Sequence, residues 1–263
     1  MPSLEPVQLL LLATAALVAG AVNAVAGGGS LLSFPALLAV GYPALTANVT
    51  NSVALTPGYF GGTLGYRREL EGQRRRILAL GAISAAGAVL GAFLLVVSSA
   101  EFFERVVPFL IFLACGLLAA QTRLARLVRK RRESVAPAGD PPDTDPHTVP
   151  LFAAQFLAAI YGAYFGAGVG IMMLAILGIF LADNLQRLNA LKGLLSLLIN
   201  GIAAVYFILF ADVRWVAVAI MAVTSLLGGQ LGVVLARRLN DQALRWLVIA
   251  FGVAVGLRLL IAG

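Results

Sequence analysis

Two polar knots decide the reading of this chain: Asn23-Ala24-Val25-Ala26-Gly27-Gly28-Gly29-Ser30 and Thr46-Ala47-Asn48-Val49-Thr50-Asn51-Ser52, with Thr56-Pro57-Gly58 just beyond. Both interrupt sequence that otherwise reads as lipid-soluble. Breaking an apolar run with glycines, amides and hydroxyls is costly in a bilayer, where freed backbone groups need partners. The rest of the chain therefore reads as a scaffold that holds these knots at membrane depth.

Of the 263 residues, 60% are hydrophobic and only 12% charged, against about a quarter charged in a soluble domain. Mean hydropathy is +0.95. The apolar residues fall in blocks near transmembrane length, about 20 residues each, which makes this a polytopic membrane protein. The net charge of +7 sits in short arginine runs between apolar blocks, the pattern of cytoplasmic loops and not of a nucleic-acid surface. Cys115 is the only cysteine and His147 the only histidine, which argues against a disulfide framework, a Cys/His metal cluster and a catalytic triad. No Lys or Arg precedes the first apolar run. Ala24-Val25-Ala26 mimics a cleavage site, but the flank and length predict a retained first helix.

Eight long helices are expected, at 7–26, 44–66 (kinked at Pro57), 77–98, 102–120, 149–167, 188–211, 213–235 and 243–262. Short apolar segments at 31–40 and 171–182 read as half-helices or re-entrant pieces. A basic loop spans 67–76. The linker is basic over 123–132 and, being rich in Pro and Asp, predicted to be disordered over 136–147. The fold class expected is an all-α polytopic membrane protein of two four-helix repeats, each with a broken or re-entrant segment. The repeats are 1–122 and 150–263, joined by the cytoplasmic linker 123–149.

The duplication rests on landmarks sharing one offset of 141 residues. Gly27 falls on Gly168, Gly29 on Gly170, Asn48 on Asn189, Gly87 on Gly228 and Gly91 on Gly232. Such repeats are frequent in transporter folds. With the arginine runs cytoplasmic and four spans per repeat, the halves are expected to be parallel, about an axis normal to the membrane. Arg237, Arg238, Arg187 and Lys192 fit that placement poorly. An inverted second half suits them better but needs an odd number of crossings in the first.

The candidate substrate-binding residues are Asn23, Gly27, Gly28, Gly29, Ser30, Asn48, Asn51, Ser52, Gly168, Gly170, Asn189 and Lys192. The glycine knot leaves backbone N–H groups free at a half-helix start, and such nests attract anions; a hinge for close helix packing is the alternative. Asn48, Asn51, Ser52 and Thr56 share one helix face, either lining a path or bonding neighbouring helices. By the 141 offset Lys192 takes the place of Asn51. A lysine within a span costs about 2.5–3.5 kcal/mol unless compensated, here by an anion or by snorkelling to the edge. Gly87-x3-Gly91 and Gly228-x3-Gly232 read as packing motifs. Asp183, Arg187 and Asp212 read as edge charges, and Trp215 and Trp246 as interface anchors.

At these residues the chain resembles the sulfite exporter TauE/SafE family, also called the 4-toluene sulfonate uptake permease family. The matching stretches run from Gly20 to Pro35, Ala47 to Leu55, Gly65 to Leu70, Tyr164 to Leu174 and Leu188 to Lys192. The resemblance implies a bacterial inner-membrane protein of about eight helices in duplicated four-helix units, moving sulfite, sulfonates or related organosulfur anions. The second knot, Gly166-Ala167-Gly168-Val169-Gly170, lacks the three consecutive glycines of the first.

The expected function is a secondary transporter of small anions. An anion channel with the same lining and a structural membrane protein without transport are the rivals. An enzyme is not expected, nor a cofactor, a metal or a nucleic-acid partner. The partners expected are the anion, the lipid bilayer and a coupling proton or sodium ion, with a homo-oligomer left open.

Overall fold

The structure is a computed structural model and describes residues 4–25, 27–135, 149–181, 183–235 and 241–262. Among these it is all-helical: α1 (Pro6–Val25), α2 (Ser30–Ala39), α3 (Ala44–Gly65), a 3-10 turn (Arg67–Leu70), α4 (Arg74–Val97), α5 (Ala100–Val135), α6 (Val149–Tyr164), α7 (Val169–Phe180), α8 (Leu185–Phe210), α9 (Trp215–Leu235) and α10 (Asp241–Ala262). Five of them, α1, α4, α5, α8 and α9, contain segments long and apolar enough to cross a membrane. Exposed Leu, Phe, Ile and Val side chains ring the outside, where lipid would take the place of a protein partner.

The short segments after each knot are helices of 10 and 12 residues. α3 runs unbroken through Pro57. The arginines at 74–76 open α4 instead of extending the loop. α5 continues through the basic run at 123–132, which is thus helical; at 36 residues it is about 54 Å long and overshoots a bilayer core of about 30 Å. Residues 136–148, with the segment predicted to be disordered, and Arg237 and Arg238 lie outside the described residues.

Glycine and serine set the helix directions by letting backbones touch. A Cβ on Gly228 would overlap the Leu17 carbonyl oxygen, and one on Gly232 would lie 2.6 Å from that of Ala21. Rising numbers on α1 meet rising numbers on α9, so these helices run parallel. α3 also runs parallel to α9: Ser225 Oγ donates to the Ala54 carbonyl, and Gly61 faces Leu226 and Gln230. α4 runs parallel to α6 through Ser84–Gln155, Gly87–Phe156 and Gly91–Ile160. The packing motifs at Gly87/Gly91 and Gly228/Gly232 thus do pack helices.

α3 and α8, by contrast, are antiparallel, since Thr56 meets Asn200 and Thr63 meets Gly193. So are α5 and α10, where Cys115 faces Gly252 and Phe112 faces Gly256. This corrects the parallel placement of the halves expected from four spans each. α1 and α3 share one direction, so α2 runs back between them, and this additional pass supplies the odd count. The ends that gather on one side are the C-termini of α3, α5 and α9 and the N-termini of α4, α6, α8 and α10. All the arginine-rich segments adjoin these ends.

On that side Asp183 is bound by Arg76 of α4 and by Arg187 Nε of α8 at 3.1 Å. Gln73 Nε2 donates to the Arg187 carbonyl at 3.1 Å, and Arg187 Nη1 to that of Glu71 at 3.1 Å. Asp183 is therefore not a solvated edge charge but a clasp between two helix starts. Burial opposes its ionisation, yet the Asn184 N–H and the Arg76 and Arg187 guanidinium groups outweigh burial and hold its carboxyl below the usual range.

Two predictions follow from this packing. Gly228→Ala forces α1 and α9 apart and costs about 3 kcal/mol or more, whereas Gly201→Ala, with nothing within 4 Å, is tolerated; thermal midpoints in detergent measure both. A depressed carboxyl pKa adds stability above the unfolded value of about 3.9 and loses it as pH falls through the folded one. The stability gap between the parent and Asp183→Asn is thus full near neutral pH and closes below about pH 4, as unfolding midpoints across pH will read.

Candidate functional site

The two glycine turns meet in backbone contact. Gly27 and Gly168 both have φ of +76°, which a side chain would strain, and they stand 141 residues apart in equivalent places. A Cβ on Gly27 would lie 2.8 Å from the Gly170 Cα, and one on Gly170 3.0 Å from the Gly27 Cα. Gly27 lies three residues before the start of α2, and Gly170 is the second residue of α7. Two helix N-termini are thereby brought together inside the protein, each with the positive end of its dipole.

Asn23 shapes the first turn. Its Oδ1 accepts from the Gly29 N–H at 2.7 Å, a buried bond that closes α1 onto the start of α2. Gly29 itself is needed because a Cβ there would overlap the Ala19 carbonyl, whereas Gly28 has only Leu118 side-chain atoms within 4 Å. The N–H groups of Gly28 and Ser30 carry no hydrogen bond among the described residues. Ser30 is buried.

Lys192 lies beside this junction. Its Cδ is 3.7 Å from the Cβ position of Gly170, and the residue is 4% exposed, so protein covers it instead of letting it reach the membrane edge. No carboxylate pairs with it among the described residues; the ion pairs there join Arg76 and Arg187 to Asp183 and Arg214 to Asp212. A buried ammonium without a carboxylate calls for another compensating group.

The polar stripe of α3 is buried against protein. Asn48 Nδ2 donates to the Tyr164 carbonyl at 2.8 Å, across to the end of α6. Ser52 Oγ donates to the Asn48 carbonyl at 3.0 Å, and Thr56 Oγ1 to that of Ser52 at 2.9 Å, so both hydroxyl protons stay on their own helix. The Oδ1 atoms of Asn48, Asn51 and Asn189 are buried without partners.

The candidates therefore divide. Gly27, Gly170 and Lys192 gather at the junction, with Gly28, Gly29 and Ser30 following Gly27 in the first turn, whereas Gly168 faces Ala114 of α5. Asn23 and Ser52 are engaged in local bonds. Asn48 and Asn51 belong to α3 and Asn189 to α8, on antiparallel helices. The buried polar residues that carry no signal in the sequence include Gln155 and Ser84, bonded at 2.8 Å between α6 and α4, whose pairing across 71 residues leaves no local mark.

The family described as "Sulfite exporter TauE/SafE" matches residues 12–259. Similar proteins include a "Probable membrane transporter protein ORF9" of Sinorhizobium sp, 26% identical over 96% of this chain and 92% of its own length. A "Probable membrane transporter protein" of Haemophilus influenzae is 30% identical over 82% of this chain and 80% of its own. The "Probable membrane transporter protein YfcA" of Escherichia coli is 25% identical over 97% and 91%. No solved structure matches significantly. With its several apolar helices and a match across nearly its whole length, the chain belongs to the sulfite exporter TauE/SafE family of multi-pass bacterial membrane transporters.

Proposed function

We propose that this transporter moves small anions, with sulfite, sulfonates and related organosulfur anions as the substrate class, by secondary transport. The observation that carries the reading is the junction of Gly27 and Gly170. There two helix N-termini and a buried lysine without a carboxylate partner concentrate positive potential inside an apolar protein. Exposed amides and helix dipoles bind anions in this way. Broken helices with their N-termini at the substrate are a recurring transporter arrangement.

The working unit is a pair of inverted repeats, 1–122 and 150–263, joined by 123–149. Each has four longer helices and one short one, and the short one runs back between the first two, so the number of passes in a repeat is odd. Helix starts at 44, 74 and 100 recur at 185, 215 and 241, an offset of 141 each time. The pairing of α1 with α9 is answered by that of α6 with α4. α3 with α8, and α5 with α10, are pairs of equivalents running antiparallel, which an axis in the membrane plane produces and an axis along its normal does not. The basic side is cytoplasmic by the excess of Lys and Arg, in the inner membrane of a bacterium. Alternating access follows from rocking one repeat against the other.

Purified protein in liposomes is expected to take up at least one of sulfite, thiosulfate, sulfoacetate or taurine with saturation and counterflow. Flux without saturation or counterflow is the signature of a channel instead. Lys192→Met lowers apparent affinity about 10- to 100-fold, as loss of one charged contact would. Lys192→Met transporting as well as the parent overturns the site, and a parent that moves none of these anions overturns the substrate class.

A further inference from the structure

At the C-terminal end of α6 the polarity is opposite to that at the glycine junction. The N–H groups of Phe165 and Gly166 both turn back to the Tyr161 carbonyl. No backbone N–H among the described residues bonds the carbonyls of Gly162, Ala163 or Tyr164. These groups form the negative end of the α6 dipole.

Three amides are at least 96% buried: Asn48 and Asn51 on α3, and Asn200 on α8. Asn48 donates Nδ2 to the Tyr164 carbonyl, which fixes the amide's orientation, because turning it over would set two oxygens together. Its Oδ1 is left buried without a donor, and so is that of Asn51, one turn further along the same face of α3. Asn200 donates Nδ2 to the Ser196 carbonyl at 2.9 Å, and its Oδ1 is 3.9 Å from the Cβ position of Gly166. Unpaired buried acceptors at a helix C-terminus repel an anion and call for a positive charge. Among the described residues no group of His, Cys, Asp or Glu could hold a metal ion, and a neutral oxygen set without a carboxylate suits a monovalent better than a divalent cation.

We propose that Asn48, Asn51 and Asn200, with the C-terminal carbonyls of α6, form a binding site for a monovalent metal ion of the sodium class. In the transporter proposed above, this ion is the coupling ion; that role rests on the transport reading, while the binding itself does not. The repeat gives the site its logic. The 141 offset carries Asn48 and Asn51 to Asn189 and Lys192. One half carries a tethered ammonium where the other takes an exchangeable cation.

The test compares NaCl, LiCl, KCl and choline chloride at equal ionic strength on the purified full-length protein in detergent. A metal ion at ten times its dissociation constant is expected to raise the unfolding midpoint by about 3–6 °C over choline. Asn48→Ala removes the shift. Asn51→Lys also removes it by installing the second half's ammonium, while Lys192→Met keeps it. Equal midpoints in all four salts overturn the site, and so does a shift that survives both Asn48→Ala and Asn51→Lys. If those variants do not fold, equilibrium binding of radioactive sodium to the parent decides: saturable binding displaced by unlabelled sodium and not by choline supports the site, and its absence overturns it. Anion uptake without any cation effect sinks this proposal alone. A cation shift without anion uptake sinks the transport reading and leaves the site standing.

Discussion

Everything in this protein depends on stopping two helices inside an apolar environment. A broken helix exposes N–H groups on one side of the break and carbonyls on the other, and hydrocarbon satisfies neither. The chain answers by placing its two breaks against each other. Gly27 and Gly170 touch through their backbones because neither has a Cβ, and side chains take up part of what remains. Asn23 takes the Gly29 N–H, and Asn48 takes up the Tyr164 carbonyl.

The surrounding helices hold that contact by the same means. α9 lies against α1 and α3 through glycines and a serine whose neighbours are carbonyl oxygens. In a membrane, apolar side chains gain little by leaving lipid for protein, so close approach and hydrogen bonding replace hydrophobic burial as the source of association. This explains why the interior is rich in Ala, Gly and Ser while many large apolar residues face outward.

The electrostatics separate in space. Helix N-termini and Lys192 gather at the glycine junction, whereas unpaired amide oxygens and helix carbonyls gather at the end of α6. At the membrane edge the charges are clasped: Asp183 ties the starts of α4 and α8 through Arg76 and Arg187. Asp183 is thus paired at the edge, whereas Lys192 is buried beside the start of α7 without a carboxylate partner among the described residues.

The sequence alone determined the class, the breaks and the duplication signal. Apolar blocks, glycines inside them and an offset of 141 are local or periodic features that can be read without coordinates. The helix ends fall within a few residues of the expectation, except α5, which continues as helix through the basic run. Direction was not legible. The sequence shows α2 as a short apolar segment, but only the contacts of α1 and α3 with one common neighbour reveal that it runs back and makes the count of passes odd. The site was half legible for the same reason. Gly27, Gly170 and Lys192 announce themselves as anomalies in a membrane helix, yet that Asn48 is spent on the Tyr164 carbonyl is decided across 116 residues, and only tertiary structure brings those together.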